Sequence, residues 1–161
     1  MPDTRPDLLK SMSAGDADAV LALGSRLTLS SGAVLFELGI QADQLYVIDR
    51  GRVNLTLPMQ VFGHEEDILV EERVAGQTLG WSALIPPHRF TLKATAQIDT
   101  ELLAFRRMAL LDYFAAHPDV GYAVVGNVAA TVGQRLQVFQ AMWLREMKRV
   151  LELSRGTGSA A

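Results

Sequence analysis

Between residues 26 and 106 the apolar positions come in short runs broken by glycine, the texture of strands rather than of helices. The runs are 26–29, 34–36, 44–48, 53–57, 68–74, 91–96 and 101–106, and Ser31-Gly32, Gly39, Gly51 and Gly63 punctuate them. The step Asp49-Arg50-Gly51-Arg52 reads as a hairpin turn, since Gly51 can take the positive φ such turns require, and 59–67 reads as another turn. About eight short strands with no helix between them predict a mainly β fold, an eight-stranded double-stranded β-helix or jelly roll over about 26–106. The period changes on both sides. Leu8, Leu9, Met12, Ala17, Val20, Leu21 and Leu23 suit two short helices over about 6–23, interrupted at Gly15-Asp16. After the strands, 108–116 predicts a short helix and 120–153 a long one, capped by Asp119, so that helices flank the barrel over about 108–153. Val125, Val128, Val132, Leu136, Phe139, Trp143, Met147 and Val150 are three or four residues apart along the long helix, the seam of a helix that pairs with a second copy.

The chain has 161 residues, 49% hydrophobic and 20% charged, enough for a single domain over 1–153, followed by a tail at 154–161 with flexible-linker composition. No run of about 18 uncharged apolar residues offers a membrane span. The N-terminus, with Pro2, Asp3, Arg5, Pro6, Asp7 and Lys10, lacks the apolar centre of a signal peptide, so cytoplasmic residence is expected. There is no cysteine, which excludes disulfides, thiolate metal sites and cysteine nucleophiles. A formal charge of −3 gives no global attraction to nucleic acid, and none is expected to bind this chain alone. His64, His88 and His117 are far apart, each in a predicted turn, so no metal site is expected. Glu65, Glu66, Asp67, Glu71 and Glu72 read as a solvated strand edge rather than paired catalytic carboxylates. Tyr46 and Tyr122 read as core rings with their hydroxyls at the rim. With no convincing nucleophile and base, the chain is not expected to be an enzyme.

The chemistry concentrates between Leu79 and Leu92. Gly80 supplies a turn, Trp81, Ser82 and Ala83 can make one helical turn, and Arg89, followed by Phe90 and Thr91, stands ahead of an apolar strand. Backbone N–H groups opening a short helix and a nearby guanidinium together form a cradle for a phosphate or carboxylate.

Ser31 to Phe36, Gly39, Ala42 to Ile48, Gly51-Arg52-Val53, Gly76 to Gly80 and Ala83-Leu84-Ile85 together resemble the cyclic-nucleotide-binding domain. The chain is most similar to the sensor half of catabolite-activator-type (Crp/Fnr-like) regulators over about 20–150, including a long dimerising helix with Asn127, Ala130, Arg135 and Leu136. The resemblance implies a jelly roll, a homodimer, and a cassette at 80–92 that holds a ligand's phosphate, with cyclic AMP or cyclic GMP as candidate ligands. It implies Gly80, Trp81, Ser82, Ala83, Arg89, Phe90 and Thr91 as ligand contacts, with Val132, Leu136, Phe139 and Trp143 as helix roof and dimer contacts. Two departures stand out. The family's cassette has a glutamate directly after the glycine, accepting the ribose hydroxyl, and here that position is Trp81, whose only polar group is a donor. Arg89 precedes Thr91 by two residues rather than three, which one deletion around Pro86-Pro87 accommodates. Two readings follow. In one, the chain is a non-catalytic sensor for an anionic small molecule, with Trp81 stacking on a planar ligand. In the other, Trp81 fills a degenerate pocket and the chain is an interaction module. The family's DNA-binding winged helix-turn-helix is not found before Ala161, so output to a separate effector protein is expected, with a fragment or a binding buffer as the alternatives.

Overall fold

The structure, a computed structural model, describes residues 5–156. Among them the expected jelly roll is present as two antiparallel sheets of four strands. The strands are β1 (Ser25–Leu29), β2 (Val34–Phe36), β3 (Gln44–Arg50), β4 (Arg52–Val61), β5 (His64–Val74), β6 (Thr78–Leu79), β7 (Lys93–Ala96) and β8 (Thr100–Arg106). The first sheet runs β1-β8-β3-β6 and the second β2-β7-β4-β5. The helices are α1 (Ala14–Leu21), α2 (Arg107–Ala116) and α3 (Pro118–Gly156), with 3₁₀ turns at Asp7–Leu9 and Trp81–Ala83. The chain forms two compact units, one ending at Asn127 and the other beginning at Val128.

Nearly every connection carries the chain from one sheet to the other, and this corrects the reading of the Gly51 step. Gly51 does adopt a positive φ, 106°, but β3 and β4 lie in different sheets, so it is a corner between layers and not a hairpin. The true hairpin is β4–β5, turned at Phe62-Gly63 with Val61 opposite His64; both turn residues have positive φ, the type I′ geometry that suits strand twist. The strands it joins extend through most of the predicted 59–67 turn, and His64 opens β5 rather than sitting in the loop. β5 is a sheet edge, and its acidic residues line it.

The apolar run Leu45-Tyr46-Val47-Ile48 is buried throughout because β3 is covered on both faces. Tyr46 and Ile48 share a face with Leu79, Ala104 and Leu102 and point between the sheets, whereas Leu45 lies opposite Phe105 on the outer face. There a Cβ at Gly24, just after α1, would come within 2.9 Å of the Phe105 ring, so the N-terminal segment lies directly on it. Asp7 fixes that segment further: its N–H donates to Gly76 O at 2.8 Å, and its carboxylate accepts from the N–H and hydroxyl of Thr78. The Asn127 carboxamide donates to Leu8 O at 2.8 Å and Lys10 O at 3.0 Å, tying the start of α3 to the same segment.

Pro118 opens α3 at a position where its missing N–H costs nothing, and Asp119 lies inside the first turn rather than capping it. The buried stripe at the start of α3 is Val120, Val124 and Val128, one turn apart; Val125, expected on the seam, is 44% exposed, and Tyr122, expected in the core, is 84% exposed. In the second unit α3 continues through Ser154–Gly156, the start of the predicted tail; 157–161 lie outside the described residues. No helix among the described residues is long and apolar enough to cross a membrane.

The Gly51 corner predicts a measurable stability effect. A Cβ there would lie 2.7 Å from Thr100 Cα and 2.8 Å from Asp99 O, with φ already outside the range of L side chains. Gly51→Ala should therefore lower unfolding free energy by roughly 2–4 kcal/mol in urea denaturation, backbone strain and overpacking acting together.

Candidate functional site

The 80–92 segment is the crossover from β6, at the edge of one sheet, to β7 in the other. Gly80 ends β6 with φ 74° and begins the 3₁₀ turn. A Cβ at Gly80 would lie 3.2 Å from both Gln44 O and the Phe90 ring, so conformation and space both select glycine. Ser82 and Ala83 are buried and Trp81 is half-buried. The Ala83 N–H donates to Gly80 O at 3.0 Å and the Leu84 N–H to Trp81 O at 3.0 Å. The Ala83 amide, one of the expected cradle donors, is thus engaged within the turn.

The second half of the crossover is held like a strand against the 39–42 loop. The Ala42 N–H donates to His88 O at 2.7 Å, the Phe90 N–H to Ile40 O at 3.0 Å, and the Gly39 N–H to Phe90 O at 2.8 Å, with Gln41 bridging Arg89. His88 takes a positive φ of 58°, and its Nδ1 lies 3.1 Å from Ser82 O, joining the two halves. Because side chains alternate along an extended segment, Phe90 and Arg89 face opposite ways. Phe90 is buried, stacked on Phe36 with centroids 3.8 Å apart and planes 9° from parallel; Phe36 in turn lies 6.1 Å from Tyr46. Arg89 is exposed, its Nη1 donating to Gly39 O at 2.9 Å, and Thr91 is exposed as well. Burial, with the Asp43 charge adding to it, pushes the Tyr46 phenol above its ordinary value, which keeps it neutral within this aromatic group.

Gly80, Trp81, Ser82, Ala83 and Phe90 thus gather in one crossover, while Arg89 and Thr91 stand on its outer side. In the second unit, Leu136 (56% exposed), Phe139 and Trp143 (62%) are exposed on α3, and Val132 is half-buried. Among the described residues no three or more His, Asp or Glu side chains gather as a metal site would require.

Sequence reasoning missed Arg73. It lies on β5 opposite Val53, so it shares the inner face of the second sheet with a fully buried residue, and it is itself 6% exposed. Its Nη2 lies 3.1 Å from Glu71 Oε1, and its Nε has no hydrogen-bond partner among the described residues. A buried donor left in that state costs about 1–3 kcal/mol. Alternation could not have pointed to it, because the β4–β5 pairing shifts register between Leu55 and Thr56 and Val70 is left without a partner.

The family model that describes the cyclic nucleotide-binding domain matches residues 26–117. No curated protein sequence matches significantly. Among solved structures, the N-terminal domain of a transcriptional regulator from Streptomyces coelicolor is 26% identical, with a TM-score of 0.68 over 81% of this chain and 91% of that one. The catabolite activator protein of Thermus thermophilus is also 26% identical, with a TM-score of 0.67 over 92% of this chain, which spans 63% of that protein. The c-di-GMP-responsive global regulator CLP of Xanthomonas campestris, 18% identical, shares the fold with a TM-score of 0.70 over 83% of this chain and 64% of that one. A β sandwich of two four-stranded sheets, matched by that model across residues 26–117, makes the chain a member of the cyclic nucleotide-binding domain family.

Proposed function

We propose that this chain is a non-catalytic, cytoplasmic regulatory domain that binds an anionic small molecule at the 80–92 crossover, with a cyclic nucleotide, cyclic AMP or cyclic GMP, as the ligand class. The observation that carries the reading is the crossover itself, a left-handed Gly80 opening a short turn and, later in the same segment, the exposed guanidinium of Arg89. Arg89 gives only its Nη1 to Gly39 O, so the rest of its donor fork is available to an anion, and the Ser82 N–H supplies a second donor. Trp81, in the place of the family's glutamate, offers a ring face to a planar ligand and no acceptor to a sugar hydroxyl. A ligand transmits a signal only to the extent that it prefers one conformation over another.

A homodimer through α3 belongs to the same proposal. Leu136, Val138, Phe139, Met142, Trp143 and Met147 are each at least 37% exposed within about three turns, more apolar surface than a solitary helix face carries without reason.

A second reading is favoured by one observation. The inward position of the crossover is Phe90, stacked on Phe36, where an anion site needs a polar group. In that reading the pocket is filled, and the domain works through its surfaces as an interaction module.

Calorimetric titration with cyclic AMP and then cyclic GMP separates the two. Saturable micromolar binding supports the sensor, and silence with both favours the module. In the sensor, Arg89→Ala weakens binding by about tenfold or more with the melting temperature nearly unchanged, and Trp81→Glu strengthens cyclic nucleotide binding by a similar factor. Phe139→Glu should turn a dimer into a monomer in sedimentation velocity. In either reading Phe90→Ala removes the stack between the sheets and should destabilise the fold by about 3–5 kcal/mol in chemical denaturation.

A further inference from the structure

We propose that Arg73 is an anion-pairing residue inside the barrel, and that Glu71 is the internal carboxylate whose place a ligand's phosphate or carboxylate group takes. This rests on the ligand-binding reading above and moves its principal charge contact from the outer side of the crossover to the inner wall of the second sheet.

The register makes the case. Arg73 lies opposite Val53 and Glu71 opposite Leu55, and Val53 and Leu55 are both buried on the face that looks toward the other sheet. The arginine and the glutamate, two residues apart, therefore stand side by side on the inner wall. A guanidinium is seldom taken this far from water unless its donors are matched. Here the match is partial, since Glu71 Oε1 meets Nη2 at 3.1 Å while Nε is left without a partner. Nε and Nη2 form one edge of the guanidinium fork, spaced for two oxygens of one phosphate or carboxylate. The two partners also differ in burial. The Arg73 side chain is 8% exposed and that of Glu71 31%, so the carboxylate is the partner nearer to solvent. An entering anion that takes both N–H groups satisfies the donor that the internal pair leaves unmet. By the same logic, Glu71 holds the site closed to weak anions.

The probe is inorganic phosphate, titrated into the full chain at constant ionic strength and followed by calorimetry and by thermal shift. Saturable binding is expected for the unaltered protein. Glu71→Gln, which removes the internal competitor, should bind phosphate about tenfold more tightly. Arg73→Lys keeps the charge but loses the fork and should bind about tenfold more weakly, while Arg73→Met abolishes binding. The proposal is overturned if the unaltered protein shows no saturable phosphate binding, or if Glu71→Gln binds no more tightly than it does. It is equally overturned if Arg73→Lys binds as well as arginine does, a comparison that stands even if Arg73→Met fails to fold. Loss of phosphate binding in Arg89→Ala alone overturns Arg73 and upholds the crossover assignment. Phosphate binding that depends on Arg73, together with silence toward both cyclic nucleotides, upholds Arg73 and sinks the nucleotide reading.

Discussion

The stack of Phe90 on Phe36 is the contact on which the rest of the crossover depends. Phe36 comes from β2 in one sheet, Tyr46 from β3 in the other, and Phe90 from the segment that passes between them. With the Phe90 ring held 3.8 Å from Phe36, the backbone of 88–90 is set against the 39–42 loop, and alternation turns Arg89 outward to the Gly39 carbonyl. The same ring stands 3.2 Å from where a Cβ on Gly80 would be, so the turn that opens the crossover must begin with glycine. One apolar contact thereby determines where the polar groups of the crossover can be.

That contact also changes what the barrel offers a ligand. The rings of Phe36, Tyr46 and Phe90 are buried between the sheets, and buried Arg73 lies on the β5 edge strand, with Glu71 beside it. Family folds keep their framework while the site is rebuilt from whichever side chains the interior faces present, so membership alone does not name a ligand. Trp81 fits this pattern, a large ring with a single donor standing where the family places an acceptor.

α3 shows a division of labour along its own length. Its first turns are apolar on one side, with Val120 and Val124 buried and Gly121 brought so close to α2 that a Cβ there would lie 2.8 Å from Phe114 Cβ. Farther along, the apolar residues are exposed, and the solvated face carries ion pairs such as Arg149 with Glu146 and Lys148 with Glu152. Exposed pairs of this kind contribute little to stability.

The sequence by itself determined the fold class, most strand positions, the long helix and the glycine at the head of the crossover, because each of these rests on local physics. Period-2 runs, turn residues and helical spacing act over a few residues and are legible there. Which sheet each strand joins was decided only in three dimensions. The Gly51 step has the residues of a hairpin, yet its strands part into different layers, since sheet membership follows from partners distant in the chain, β8 for β3 and β7 for β4. The buried stripe at the start of α3, with Val120 and Val124, was likewise set by what the helix packs on. The direction of Arg89 and the burial of Arg73 were decided in the same way. One depends on a ring stack across the barrel, and the other on a register shift that breaks the alternation by which a sequence declares its inner face.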